Sequence, residues 1–411
     1  MNQIDVYEHG RLLIDEKVFT RKHWNAFVKL NTVHDGAYFE VLHNGLKFKQ
    51  FVGVIQVDGL LVHIHPKADK DENEGRWKGV LLQMLKACGK VKAQTAGNAQ
   101  LKKQRINLLE VYFEYFLNEM EGLIHAGLVK KYRKETRNVK ALKGKLEFAG
   151  NIRRNLVHKE RFYTTHQVYD SNHELHQVLR HALDIVGQFT RGTRLNDNCR
   201  RVQMAFPEVD SINPTGHMLS SIKLNRKTAP YERALELAKF IILNYSPDIN
   251  RGPQKMIALL FNMNELWEEY VLKMLKNYSL DHPEMGLKVS GQESKLFYGS
   301  SRTIRPDIVL RKGEGGDEEV FVIDTKWKRP INRNASIEDL RQMYTYGRFW
   351  NARKLMLIYP GDHASSDFNF YHNLELDGRR HECKSAFVSI FDTAGMLDSN
   401  LGSHILEHLN T

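Results

Sequence analysis

Hydrophobic and polar residues follow three successive patterns along this chain. The first is alternation. Residues 37–42, 46–57 and 60–64 alternate apolar and polar side chains, which predicts strands with one buried face. Asn44-Gly45 and Asp58-Gly59 separate them, and such dipeptides accept the positive φ of a tight hairpin turn. A small antiparallel sheet or barrel is expected here. The second pattern is helical. From Trp77 onward apolar residues recur every three to four positions, with long helices predicted over 105–126, 174–189 and 231–244. The aromatic stripe Tyr112, Phe113, Tyr115 and Phe116 reads as core, and residues 254–278 read as one further long helix. The third pattern is a series of short apolar runs. Ile308-Val309-Leu310 and residues 320–323 predict two strands, with Gly313-Glu314-Gly315-Gly316 loose enough to fold them back on each other. A helix over 337–349 and a strand over 353–359 follow. Phe321-Val322-Ile323 has no polar interruption, as in a strand covered on both faces.

These patterns predict an α+β multidomain chain. Its parts are a β-rich N-terminal domain (1–100), a helical middle region (101–250) and a C-terminal α/β domain (251–411). Charge sharpens the middle part. The chain carries a net +11 over 411 residues, and residues 101–230 hold 23 Lys/Arg against 13 Asp/Glu. Within 130–161 there are 12 basic and 3 acidic residues, interleaved with Tyr132 and Phe148 and followed by Phe162 and Tyr163. Such a stretch suits a phosphate backbone or an acidic protein surface. Lys143, Lys145, Arg153 and Arg154 are its candidate DNA- or partner-binding residues. No apolar run is long enough to span a bilayer, and no signal-peptide pattern opens the chain. Cys88, Cys199 and Cys383 are too scattered for a disulfide framework or a zinc site. A cytoplasmic protein without membrane partners is expected. His63 and His65 share a strand face with no third metal ligand evident, and they read as a plain strand face.

The chemistry concentrates at the ends of the C-terminal strands. Asp324 and Lys326 are two apart, so both point to one face. The predicted hairpin brings Asp307, just after Pro306, beside Asp324. Two converging carboxylates repel unless a cation lies between them, and a hard ion with oxygen ligands, Mg²⁺, is the natural solution. Its expected ligands are Asp307, Asp324 and the backbone carbonyl of Thr325. Lys326 would orient or activate a water, or stabilise the transition state. This is the pattern of a PD-(D/E)xK nuclease core. Gln342 and Tyr346, four apart on one helical face, match the Q-x-x-x-Y motif of its RecB-like branch. Upstream, Glu268 is the best placed glutamate to face such a site, with Glu265 three residues earlier on the same face. No G-x-x-x-x-G-K-[ST] phosphate loop is present, so the chain does not read as an NTPase.

The order of motifs resembles McrC, the nuclease subunit family of McrBC-type modification-dependent restriction systems. The resemblance rests on Ile64-His65-Pro66-Lys67, Tyr132-Arg133, Leu142-Lys143-Gly144-Lys145-Leu146 and Tyr169-Asp170-Ser171-Asn172. It rests equally on residues 262–271, Arg305-Pro306-Asp307 and Asp324-Thr325-Lys326. It implies an Mg²⁺-dependent DNA endonuclease that cuts with its C-terminal part, while its N-terminal domain (1–100) and middle region bind a separate McrB-like AAA+ GTPase hexamer and stimulate its GTP hydrolysis. Double-stranded DNA carrying modified cytosine, recognised mainly by that partner, is the implied substrate. A stand-alone RecB-like repair nuclease and a non-catalytic regulator of an AAA+ ring are the alternative readings.

Overall fold

The computed structural model describes residues 2–15, 17–66, 80–91, 108–246, 256–313, 318–328, 330, 334–372, 381–393 and 395–410. The chain divides into two compact units. One joins residues 1–93 to 260–411, and the other comprises residues 94–259.

The N-terminal part of the first unit holds strands β1 (Asn2–Tyr7) and β2 (Arg11–Leu13), helix α1 (Arg21–Val33), β3 (Phe39–Leu42), β4 (Gly45–Phe48), β5 (Phe51–Val57), β6 (Leu60–His65) and α2 (Val80–Ala87). Asp58 and Gly59 turn at φ 44° and 79°, and β5 and β6 pair antiparallel across them. β1 pairs with β6 in parallel, while β2, β4 and β3 form a separate antiparallel sheet. The single strand expected over 46–57 is therefore two strands. β4 ends at Phe48, β5 begins at Phe51, and the two join different sheets. β1 and α1 are additions to the sequence reading. The start of the helical region at Trp77 lies outside the described residues.

The second unit contains α3 (Leu108–Ala126), β7 (Lys131–Val139), β8 (Lys145–Leu146), α4 (Phe148–Asn155), β9 (Phe162–Asp170), α5 (Glu174–Phe189), α6 (Asn196–Ala205), α7 (Gly216–Ser221), α8 (Glu232–Leu243) and β10 (Tyr245–Ser246). Its core uses Phe113, Phe116, Leu179, Leu183 and Ile241, all buried. The expected start of α3 at Arg105 lies outside the described residues. The middle region is not wholly helical. β7 and β9 pair antiparallel over nine residues, with β8 on the other side of β9. Charged and polar residues crowd both faces of this ribbon, so no apolar alternation announces it.

β11 (Met256–Asn262) pairs with β10 and leads at Leu260 into the first unit. There follow α9 (Met263–Asp281), β12 (Leu287–Gly291), β13 (Lys295–Tyr298), β14 (Arg302–Ile304), β15 (Ile308–Lys312), β16 (Glu319–Thr325), α10 (Ile337–Trp350), β17 (Lys354–Pro360), β18 (Asn369–Phe370), β19 (Glu382–Val388) and α11 (Leu401–Asn410). The helix expected over 254–278 is thus a strand followed by a helix, with 254 and 255 outside the described residues. The run Met-Ile-Ala-Leu-Leu is buried throughout. Asn262 ends it, its side chain capping α9 by accepting from Asn264 N–H at 3.1 Å.

A six-stranded sheet in the order β12-β15-β16-β17-β19-β18 organises this part. β15 and β16 form the expected antiparallel hairpin, and β17 and β19 continue in parallel. Part of the 313–319 connection lies outside the described residues. Val309, Val322, Leu357 and Tyr359 meet Met343, Tyr346 and Trp350 of α10 on one face. On the other, Leu310 and Phe321 lie with Leu406 and Leu409 of α11 around a small apolar cavity. A Cβ on Gly402 of α11 would stand 2.8 Å from Met274 O and 3.0 Å from Tyr278 Cβ, so α11 approaches α9 closely. Lys354 and Lys384 tie the end of α11 down by donating to the carbonyls of Leu409 and His408.

Candidate active site

The hairpin register decides where the polar residues meet. Ile308 pairs with Ile323, so Asp307 and Asp324 come next to each other where the ladder opens. Asp324 shares its face of β16 with Val322, and Asp307 shares its side of β15 with Val309. Both carboxylates therefore lie on the face that α10 covers. Asp324 is 2% exposed. Lys326 Nζ lies 2.6 Å from Asp324 Oδ2 and donates to Gln342 Oε1 at 3.1 Å. Gln342 Nε2 donates to the Tyr346 hydroxyl at 2.8 Å, and that hydroxyl donates to the Arg305 carbonyl at 2.9 Å. A continuous chain of contacts thus runs from Asp324 through Lys326, Gln342 and Tyr346 to the backbone two residues before Asp307. On Asp307 itself, Oδ2 accepts from the amide of Thr325 at 2.6 Å and from its hydroxyl at 2.9 Å.

The family model described as McrBC 5-methylcytosine restriction system component matches residues 46–360, well over half of the chain. This chain belongs to that family. The Type IV methyl-directed restriction enzyme EcoKMcrBC of Escherichia coli (strain K12) is 22% identical over 237 residues, spanning 55% of this chain and 66% of that protein, just under two thirds. A solved chain from the refined half-complex of a tetradecameric assembly of Thermococcus gammatolerans McrB AAA+ hexamers with bound McrC superposes with a TM-score of 0.64. It is 19% identical and covers 100% of this chain and 99% of its own. At that identity the likeness speaks to the fold.

The charges of this McrBC-family site are out of balance on their own. Burial raises the pKa of Asp324 to about 7, and the neighbouring Asp307 adds to the rise against the pull of Lys326. Burial also raises Asp307, against its two bonds from Thr325. Glu268 of α9 is raised by burial and then by Asp307, and its Oε1 accepts from Gln292 Nε2 at 2.6 Å. Gln292 N–H in turn donates to the Asp307 carbonyl. Burial by itself would lower Lys326, but Asp324, Asp339 and Asp307 more than offset it, and the ammonium stays above the ordinary lysine value. Among the described residues no three His, Cys, Asp or Glu side chains gather tightly enough to cage a cation. The donor set suits a cation that keeps much of its water. The rise of Asp324 by burial and by Asp307 is what such an ion would relieve, and Mg²⁺ binds through one or two carboxylates in this way.

The other residues predicted from sequence lie elsewhere. His65 Nε2 sits 2.9 Å from Asp5 Oδ1, and its ring stacks on His63 at 6.0 Å. Lys143 and Lys145 are exposed at β8, and Arg153 and Arg154 end α4. Arg154 lies over the Tyr163 ring at 4.7 Å. Sequence reasoning passed over the Thr325 side chain, Gln292 and Asp339. Asp339 Oδ2 binds Lys328 at 2.7 Å, and its Oδ1 is 3.7 Å from Lys326. A hydroxyl inside the Asp-x-Lys motif was the available signal for Thr325.

Proposed function

We propose that this chain is the Mg²⁺-dependent, PD-(D/E)xK-type endonuclease component of a GTP-driven, modification-dependent restriction complex acting in phage defence. The observation that carries the reading is the convergence of Asp307, Asp324 and Lys326 at one open end of the β15–β16 ladder. Asp307, Asp324 and the Thr325 carbonyl would hold Mg²⁺, which when bound supplies Lewis-acid neutralisation of charge on a phosphate. Thr325 fixes the Asp307 carboxylate through two hydrogen bonds. Lys326, kept protonated by its acidic neighbours, is suited to stabilise negative charge on the phosphate and to orient a water by donation. It is not suited to deprotonate one. Gln342 and Tyr346 hold Lys326 to the Arg305 backbone, and Glu268 approaches from α9.

The partner in this reading is a McrB-like AAA+ GTPase hexamer. It recognises double-stranded DNA with modified cytosine, and this chain stimulates its GTP hydrolysis. The basic ribbon of β7, β8 and β9 with Lys143, Lys145, Arg153 and Arg154 is the proposed contact with that ring or with DNA. Cleavage of methylated duplex DNA by the full chain, with and without such a GTPase and GTP, tests the reading. Cleavage that needs all three components and Mg²⁺ is expected. Equal cleavage by the chain alone would point to a stand-alone nuclease.

A further inference from the structure

The catalytic end of β16 is buttressed by a residue from the far N-terminus. Glu8 sits in the turn that leaves β1. Its N–H donates to the His65 carbonyl at 3.0 Å, Gly10 N–H closes the turn on Tyr7 O at 3.0 Å, and His9 adopts φ 61°. Only 4% of Glu8 is exposed. Its Oε1 accepts from the indole N–H of Trp327 at 2.7 Å. A buried carboxylate is costly unless hydrogen-bonded, and a buried indole N–H likewise needs an acceptor.

Trp327 is the residue after Lys326. Its ring packs on that of Trp267 at 5.6 Å, and Trp267 is the residue before Glu268. The ladder with β17 ends as Lys326 N–H donates to Ile358 O at 2.9 Å. Beyond that bond the chain leaves the sheet, where Trp327 meets Glu8 and Trp267 and Lys328 pairs with Asp339 at 2.7 Å. We infer that Glu8 is a positioning residue for the nuclease centre. By holding the Trp327 indole against Trp267, it fixes the direction in which Lys326 leaves β16 and so the place of the ammonium beside Asp324. This rests on the nuclease reading above. It makes the N-terminal strand part of the catalytic unit, so that residues 251–411 alone are an incomplete one.

The test is cleavage of methylated duplex DNA by the full chain with a McrB-type GTPase, GTP and Mg²⁺, resolved into kcat and KM. Glu8→Leu, which removes the acceptor, is expected to lower kcat by about tenfold or more, with KM within about twofold, as small misplacements of a reacting group do. Glu8→Gln keeps an acceptor oxygen and is expected to stay within about threefold of the parent. Trp327→Phe keeps an aromatic side chain against Trp267 but removes the N–H, and should match Glu8→Leu. The double variant should be no worse than the more impaired single variant, because both substitutions remove the same bond. Parental kcat in Trp327→Phe, a Glu8→Gln as impaired as Glu8→Leu, or additive losses in the double variant would each overturn the inference. Trp327→Phe alone decides if Glu8→Leu does not fold. Asp324→Ala separates the two layers. Full cleavage by it removes the nuclease reading, whereas an inactive Asp324→Ala beside unimpaired Glu8 and Trp327 variants removes only the role of Glu8.

Discussion

Single residues carry the chemistry and much of its pH dependence. Lys326→Ala is expected to abolish cleavage while calorimetry still detects Mg²⁺ binding, because an ammonium is not a ligand. With the cation gone from beside Asp324, that binding should shift to higher pH. Loss of Mg²⁺ binding at every pH would mean that Lys326 maintains the site's structure instead. A second residue, His176 in the other unit, sets a stability limit. It is fully buried, close to Ser171 O through Nδ1 (2.8 Å) and to the Tyr231 hydroxyl through Nε2 (3.1 Å). Burial, with His173 adding, lowers its pKa to about 4. A lowered folded pKa means that the unfolded chain binds more protons between about pH 6.5 and 4. Stability is therefore present above that window and is lost as pH falls through it, by roughly 3 kcal/mol in all. Thermal melts from pH 7 to 4.5 should fall more steeply for the parent than for His176→Gln.

At the scale of elements, the β15–β16 hairpin, α10 and β17 could be read from sequence because their apolar runs end in chemistry-bearing residues at fixed spacing. Where local pattern was silent or double-valued, the reading missed. The apolar run of β11 satisfied a helix as well as a strand, and the polar faces of β7 and β9 hid a nine-residue pairing. The Glu8–Trp327 contact joins residues 319 apart in sequence, and no local signal could announce it. Helix α10 supplies Gln342 and Tyr346, which hold Lys326. A Cβ on its Gly347 would meet Leu355 Cδ1 at 2.9 Å and His381 Nδ1 at 3.1 Å. Gly347→Ala gains up to about 1 kcal/mol of helix propensity but is expected to lose about 1–3 kcal/mol to overpacking. The net result should be lower stability in denaturant melts. Cleavage should fall with it, since pushing α10 off the sheet draws Gln342 away from Lys326. A variant more stable than the parent would show that α10 has room to shift.

At the scale of the whole molecule, the first unit takes its residues from both ends of the chain, and the middle unit is inserted between them. No helix among the described residues is long and apolar enough to cross a membrane. Reversing Lys143, Lys145, Arg153 and Arg154 to Glu together should weaken partner stimulation or DNA engagement, more at low salt than at high. Melting temperature should change little, because all four side chains are exposed, two in or beside β8 and two at the end of α4. Unchanged GTP turnover and unchanged DNA binding in that variant would remove the ribbon from both contacts. The central claim is narrower: Asp307, Asp324 and Lys326 form one metal-dependent cutting site. Cleavage of methylated duplex DNA by Asp324→Ala, with Mg²⁺, GTP and the GTPase present, tests it most directly. The account predicts a folded protein that binds and stimulates its partner but leaves the DNA uncut. Cutting at the parental rate by that folded variant would contradict it.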